Sequence, residues 1–193
     1  MFIVLEGVDG CGKSTHARLL AGWLRRRGFK VFLTSEPTRG GIGGVIRAVL
    51  SGMVKVDPRT LALFFTADRA EHVRKIRAAL AAGKVVVCDR YYHSTVAYQA
   101  AQGVDRKWLL QLNGFAPEPD LAILLDVDAG AGAKRARSGE IFEKKGFLAK
   151  VRREYLRFRK MRRVDSSRPK KAVQEEIRSI VGGACEECWG LSA

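Results

Sequence analysis

Gly7-Val8-Asp9-Gly10-Cys11-Gly12-Lys13-Ser14 is the stretch that decides the fold. It fits G-x-x-x-x-G-K-[ST] without a mismatch. Phe2-Ile3-Val4-Leu5 before it is a short, β-rich apolar run that reads as a buried strand. Ser14–Arg27 after it places Ala17, Leu20, Ala21 and Leu24 at helical spacing, and Gly28 supplies a stop. Strand, glycine loop and helix in that order make a phosphate-binding loop. The glycines let successive backbone N–H groups turn inward into an anion nest, and the helix N-terminus adds its partial positive charge. Gly7, Val8, Asp9, Gly10, Cys11, Gly12, Lys13, Ser14 and Thr15 are therefore the expected ATP-binding set. Lys13 reaches the β/γ-phosphates, and the Ser14 hydroxyl is the first candidate ligand for Mg²⁺.

Outward from that loop the same alternation continues. Lys30–Thr34, Val85–Cys88 and Leu121–Leu125 read as further strands, and Arg162–Val164 as a short last one. Glu36–Gly44, rich in Gly, Pro and Thr, reads as a loop. Helical patterns cover Val45–Leu50, Arg59–Ala82, His93–Ala101, Arg106–Asn113, Phe147–Met161 and Lys170–Val181. Apolar strands alternating with helices specify an α/β fold: a three-layer, doubly wound parallel sheet of about five strands with helices on both faces. No linker, repeat or low-complexity tract interrupts 193 residues, so a single domain is expected. It carries a basic lid over about 134–146 and a tail over 182–193.

Bulk properties narrow the partners. At 47% hydrophobic residues the chain is not disordered. No run approaches the roughly 18 apolar residues that a membrane span needs. Phe2–Leu5 is short and meets Glu6 at once, which is no signal peptide, so the cytoplasm is the default. The net charge of +15 asks for a polyanion, and nucleotides and nucleic acids both qualify. No RNA- or DNA-reading aromatic motif accompanies the charge, which weighs against nucleic acid. Cys185-Glu-Glu-Cys188 lacks nearby histidines, so a tail disulfide or plain thiols fit better than a metal site.

The loop alone does not separate a kinase from a GTPase or an ATP-driven machine. Asp89 closes a buried strand, where a doubly wound sheet presents its ligand-binding edge. There it can orient Mg²⁺ while Arg90 faces a phosphate. Without the phosphate-binding loop, the same Asp-Arg pair would read as a helix-capping ion pair. No guanine-reading Asn/Thr-Lys-x-Asp segment is present. Glu6–Thr15, Phe64–His72, Asp89–Gln99, Pro119–Asp128 and Phe142–Tyr155 occur in an order and spacing that resembles the thymidylate kinase family, a match reaching to about Val181.

That resemblance implies a P-loop kinase that moves the γ-phosphate of ATP to dTMP, giving dTDP and ADP, with Mg²⁺ as cofactor and a homodimer as the assembly. It implies that Asp9 approaches the acceptor phosphate and that Arg90 of Asp89-Arg90-Tyr91 contacts it. By the same resemblance Phe65 stacks on the base and Arg69 donates to its O4. Ser94, Tyr98 and Gln99 read N3 and pack beneath the deoxyribose. This sequence departs from the family's pattern at two places. Ser35 precedes Glu36-Pro37 where many members have arginine, which passes the acceptor-phosphate role to Arg39. Glu140-Ile141-Phe142-Glu143 lacks the lid arginine, so the catalytic cation must come from Lys134, Arg135, Arg137, Lys144 or Lys145, with Arg135 and Arg137 ranked first. The alternatives are a kinase of another nucleoside monophosphate or nucleoside, and a nucleic-acid-stimulated ATPase.

Overall fold

The computed structural model describes residues 1–128, 130, 142 and 145–189, with side chains to residue 184. Among the described residues twelve elements follow one another: β1 (Phe2–Glu6), α1 (Lys13–Arg26), β2 (Val31–Ser35), α2 (Gly41–Leu50), α3 (Pro58–Ala81), β3 (Val85–Asp89), α4 (Tyr92–Ala101), α5 (Arg106–Leu112), β4 (Leu121–Asp126), α6 (Lys145–Tyr155), β5 (Arg162–Asp165) and α7 (Lys170–Trp189).

The five strands pair in parallel in the order β2-β3-β1-β4-β5. Strand alternation sends successive side chains to opposite faces. Ile3, Leu5, Val85 and Val87 pack with Ala17, Leu20 and Leu24 of α1 and Val173 and Ile177 of α7. Phe2, Val4, Val86 and Cys88 pack instead against Val73, Ile76 and Ala79 of α3. Both faces are thus covered, as the near-continuous apolar strands require. Asp57 starts α3 by accepting from the N–H groups of Arg59 (2.8 Å) and Thr60 (3.1 Å), with Pro58 at the first helical position.

Three boundaries differ from the sequence reading by more than two residues. The loop expected through Gly44 becomes helix at Gly41, because Gly43 is buried against the Thr38 backbone, an approach that only a residue without Cβ permits. The helix expected to reach Met161 ends at Tyr155, whose buried hydroxyl ties it down before the chain turns into β5. At the other end α7 runs past Gly182-Gly183 to Trp189, since glycine weakens a helix without forbidding it and no proline follows.

Gly43 and Gly44 give a paired test of this packing. A Cβ on Gly43 would collide with the Thr38 carbonyl, and Thr38 cannot yield: its N–H and hydroxyl are fixed on Asp68 at 2.7 and 2.6 Å. Gly43→Ala is expected to cost about 2 kcal/mol and lower Tm by about 4–8 °C. No atom lies within 4 Å of a Cβ on Gly44, so Gly44→Ala should raise Tm by about 1–4 °C. Thermal denaturation of both variants checks the pair.

Candidate active site

In the parallel ladder Leu5 of β1 stands opposite Asp89 of β3, so the loop leaving β1 and the Asp89-Arg90 pair emerge side by side. Gly7, Gly10 and Gly12 all have positive φ, at 144°, 78° and 94°. A Cβ on Gly7 would press on the Leu125 carbonyl and the Cys11 thiol. The loop therefore needs glycine there for space as well as for conformation. Lys13 is buried, and its Nζ donates to the carbonyls of Gly7 (3.0 Å) and Val8 (2.8 Å). The ammonium is in this way held over the loop that would carry a phosphate chain.

A cavity of about 500 Å³ opens from that loop. Asp9, Gly10, Gly12, Lys13, Ser14 and Thr15 line its loop end, Ser94 and Tyr98 follow through their bonds to Arg90 and Asp9, and Phe65, Arg69 and Gln99 line its far end. Asp89 and Arg90 lie on the same wall. Gly7, Val8 and Cys11 support it from behind, Val8 and Cys11 in the core. Asp9 ties the loop end to the rest of the cavity: its carboxylate pairs with the Arg90 guanidinium and accepts from the Tyr98 hydroxyl at 2.6 Å. Burial pushes the Asp9 carboxyl up, but the Arg90 and Lys13 charges and the Tyr98 bond outweigh it and hold the group below the usual carboxylate range. Burial pulls the Arg90 pKa down, and Asp9 together with Tyr98, Tyr155 and Asp89 more than compensates. The pair is charged on both sides.

Ser14 Oγ donates to Asp89 Oδ2, while Asp89 Oδ1 is buried and has no partner among the described residues. A hydroxyl, a carboxylate and one free oxygen are the hard donors Mg²⁺ accepts, and this ion takes few protein ligands when phosphates supply others. No group of three or more His, Cys, Asp or Glu residues assembles a metal cage among the described residues.

The far end is built around Arg69, which is fully buried. Its Nε and Nη2 donate to Glu36 Oε2 at 2.9 and 2.7 Å, Nη2 also reaches Thr95 Oγ1 at 3.0 Å, and Nη1 donates to Asn113 Oδ1. A guanidinium has five N–H donors. Four are occupied, which leaves one, on Nη1. Beside it Gln99 is buried, with Oε1 lacking a partner among the described residues and Nε2 donating to Gln102 at 3.2 Å. A rigid single donor and an amide that can offer either edge thus share this end of the cavity with the half-buried Phe65.

Arg39 is exposed and lies outside the residues that line the cavity; Arg47, nearly two turns into α2 and not anticipated from the sequence, lines it instead. Arg135 and Arg137, with Lys134 and Lys144, fall outside the described residues, as do the side chains of Cys185 and Cys188. Glu36, Thr95 and Asn113 were also missed as members of the site. Their signal was weak: each is 26 to 44 residues from the arginine it holds, and none sits in a motif that predicts the pairing.

Known proteins resemble this chain over most of its length. A probable thymidylate kinase of Pyrococcus horikoshii is 47% identical over 170 residues, covering 83% of each chain. One of Methanocaldococcus jannaschii is 43% identical over 185 residues, covering 94% of each. A thymidylate kinase of Desulfotalea psychrophila is 44% identical over 183 residues, covering 91% of each. A family model described as thymidylate kinase matches residues 5–177, from the strand before the phosphate-binding loop to the last helix, and the chain belongs to the thymidylate kinase family.

Proposed function

We propose that this chain transfers the γ-phosphate of ATP to dTMP, giving dTDP and ADP. The observation that carries the reading is one continuous cavity with a phosphate-binding loop at one end and the Phe65, Arg69 and Gln99 side chains at the other. Phosphoryl transfer needs little covalent help from a protein; it needs in-line positioning, charge neutralisation and exclusion of water. Lys13 and the inward N–H groups of Gly7–Thr15 neutralise the donor phosphates. Arg90, fixed by Asp9, and Arg47, which also lines the cavity, supply positive charge for the acceptor phosphate, with Arg39 close in sequence as a further cation. Phe65 stacks on the base, Arg69 donates its remaining N–H to O4, and Gln99 accepts from N3. Tyr98 and Ser94 pack beneath the sugar. Arg135 and Arg137 bring the lid's cation to the transferring phosphoryl, and such a group is worth about 10³–10⁵ in rate in related chemistry.

Ser14 and Asp89 would hold Mg²⁺, which when bound supplies charge to the bridging oxygens. The exposed Val45 and Leu63 of the packed α2–α3 pair, with Met53 between them, support a homodimer face. No described helix is long and apolar enough to cross a membrane, which is compatible with a cytoplasmic enzyme working as a single domain.

Asp89→Asn should lower kcat by about 10–100-fold while ATP affinity changes little, because the carboxylate acts through Mg²⁺ placement. Steady-state kinetics with an independent ATP-binding titration checks this, and equal losses in both would point to a structural cap.

Base choice gives the sharper test. One methyl group in an apolar pocket is worth roughly 10–200-fold, so dUMP should remain a poor substrate. Cytosine places an amino group where thymine has O4. Arg69 has only donors and is clamped by Glu36, Thr95 and Asn113, so donor would face donor, and rejection can reach roughly 10⁴-fold. Arg69→Gln gives that position an acceptor as well and should cut the dTMP/dCMP ratio of kcat/KM by about 10²-fold or more. A wild-type enzyme using dCMP as well as dTMP would end the thymidylate reading; an unchanged ratio in the variant would remove Arg69 as the reader.

A further inference from the structure

At the end of β1, directly before the phosphate-binding loop, the chain buries a carboxylate that does not itself line the cavity but holds residues that do. Glu6 is fully buried and collects four hydrogen bonds. Its Oε1 accepts from the backbone N–H groups of Tyr91 (2.7 Å) and Ser94 (3.3 Å). Its Oε2 accepts from the hydroxyls of Ser94 (2.6 Å) and Tyr155 (2.9 Å). Tyr91 is the N-cap of α4 and offers no side-chain cap of its own. Glu6 therefore caps α4 from another strand, with its charge at the favourable end of the helix dipole.

The residue before that cap is Arg90, whose φ of 69° makes it the non-glycine residue with left-handed backbone among the described residues. An arginine persists in that conformation only where its surroundings over-determine it. The Arg90 N–H is held by the Leu5 carbonyl at 3.0 Å and its guanidinium by Asp9, and two further restraints end on Glu6. The N–H that follows Arg90, on Tyr91, is held by Oε1. The Ser94 hydroxyl, which donates to Oε2, accepts the Arg90 Nη1 at 3.1 Å. His93 approaches Oε1 at 3.7 Å, but burial and the Arg69 and Arg106 charges pull its pKa down to about 3, so it brings no countercharge.

We propose that Glu6 is a positioning residue for the acceptor site: it fixes the strained Arg90 backbone and orients Ser94 beneath the guanidinium, so that Arg90 meets the acceptor phosphate. The proposal rests on the assignment of Arg90 to that phosphate. It separates Glu6 from the donor site even though Gly7 is its neighbour, because none of the four bonds to its carboxylate comes from the phosphate-binding loop.

Glu6→Gln keeps the shape but turns Oε2 into a donor facing two hydroxyls. Ser94 must then reverse its hydroxyl and lose its acceptor geometry toward Arg90. The expected result is KM for dTMP raised roughly tenfold with KM for ATP within about twofold. Tyr155 does not itself line the cavity; Tyr155→Phe removes one bond to Oε2 and the 2.8 Å contact with the Ser94 hydroxyl, and should raise KM for dTMP about threefold in the same selective way. It carries the test if Glu6→Gln does not fold. Arg90→Lys and the double variant complete a cycle. If Glu6 acts through Arg90, the double variant should bind dTMP no worse than Arg90→Lys alone. Parallel rises in both KM values, or none in KM for dTMP, would overturn the proposal for Glu6. An unchanged KM for dTMP in Arg90→Lys would instead overturn the assignment of Arg90 and the proposal with it.

Discussion

The register of β1 against β3 is the constraint on which the rest depends. With Leu5 opposite Asp89, the loop at Gly7 and the pair Asp89-Arg90 leave adjacent strands at the same height. A slip by one residue would turn Asp89 to the other face and break its contact with Ser14. The register is fixed by burial: Phe2, Val4, Val86 and Cys88 must face α3 while Ile3, Leu5, Val85 and Val87 face α1 and α7. A hydrophobic requirement thus sets the geometry of a polar site. This is why the site forms at the carboxyl edge of the sheet, where ligands of doubly wound folds are expected.

Charge is handled in two ways. Inside, carboxylates and guanidinia are paired: Asp9 with Arg90, and Glu36 with Arg69 at 2.7 Å. Buried pairs of this kind contribute little net stability, yet losing one partner costs about 3–5 kcal/mol, so each pair holds its members in place. Outside, the excess behind the net charge of +15 sits on exposed residues such as Lys150, Arg153, Arg159 and Lys160. There salt screens it over about 8–10 Å. The basic composition therefore describes the surface more than the site.

The strands and the phosphate-binding loop were legible because each is a local pattern: four or five apolar residues, or a motif whose spacing is its mechanism. Helix ends were less so. Gly41 and Gly43 resemble loop residues until the close approach to Thr38 is known, and a basic stripe such as 150–163 gives no sign of where a helix stops. The parts of the site that escaped the sequence are those that act at a distance. Tyr155 meets Glu6 across 149 residues and Asn113 meets Arg69 across 44, and no periodicity links them. Arg47 went unnoticed for a different reason: on an amphipathic helix an exposed arginine is the ordinary case, and only the cavity it faces distinguishes it.

The central claim is that one cavity joins ATP to a thymine monophosphate. The direct measurement is the stoichiometry of products when the purified chain is given ATP and Mg²⁺ with each nucleoside monophosphate in turn, and with polynucleotide alone. ADP and dTDP should appear in equal amounts with dTMP, and ADP should scarcely form with purine monophosphates or with polynucleotide. ADP release that ignores dTMP, or that polynucleotide stimulates, would contradict it.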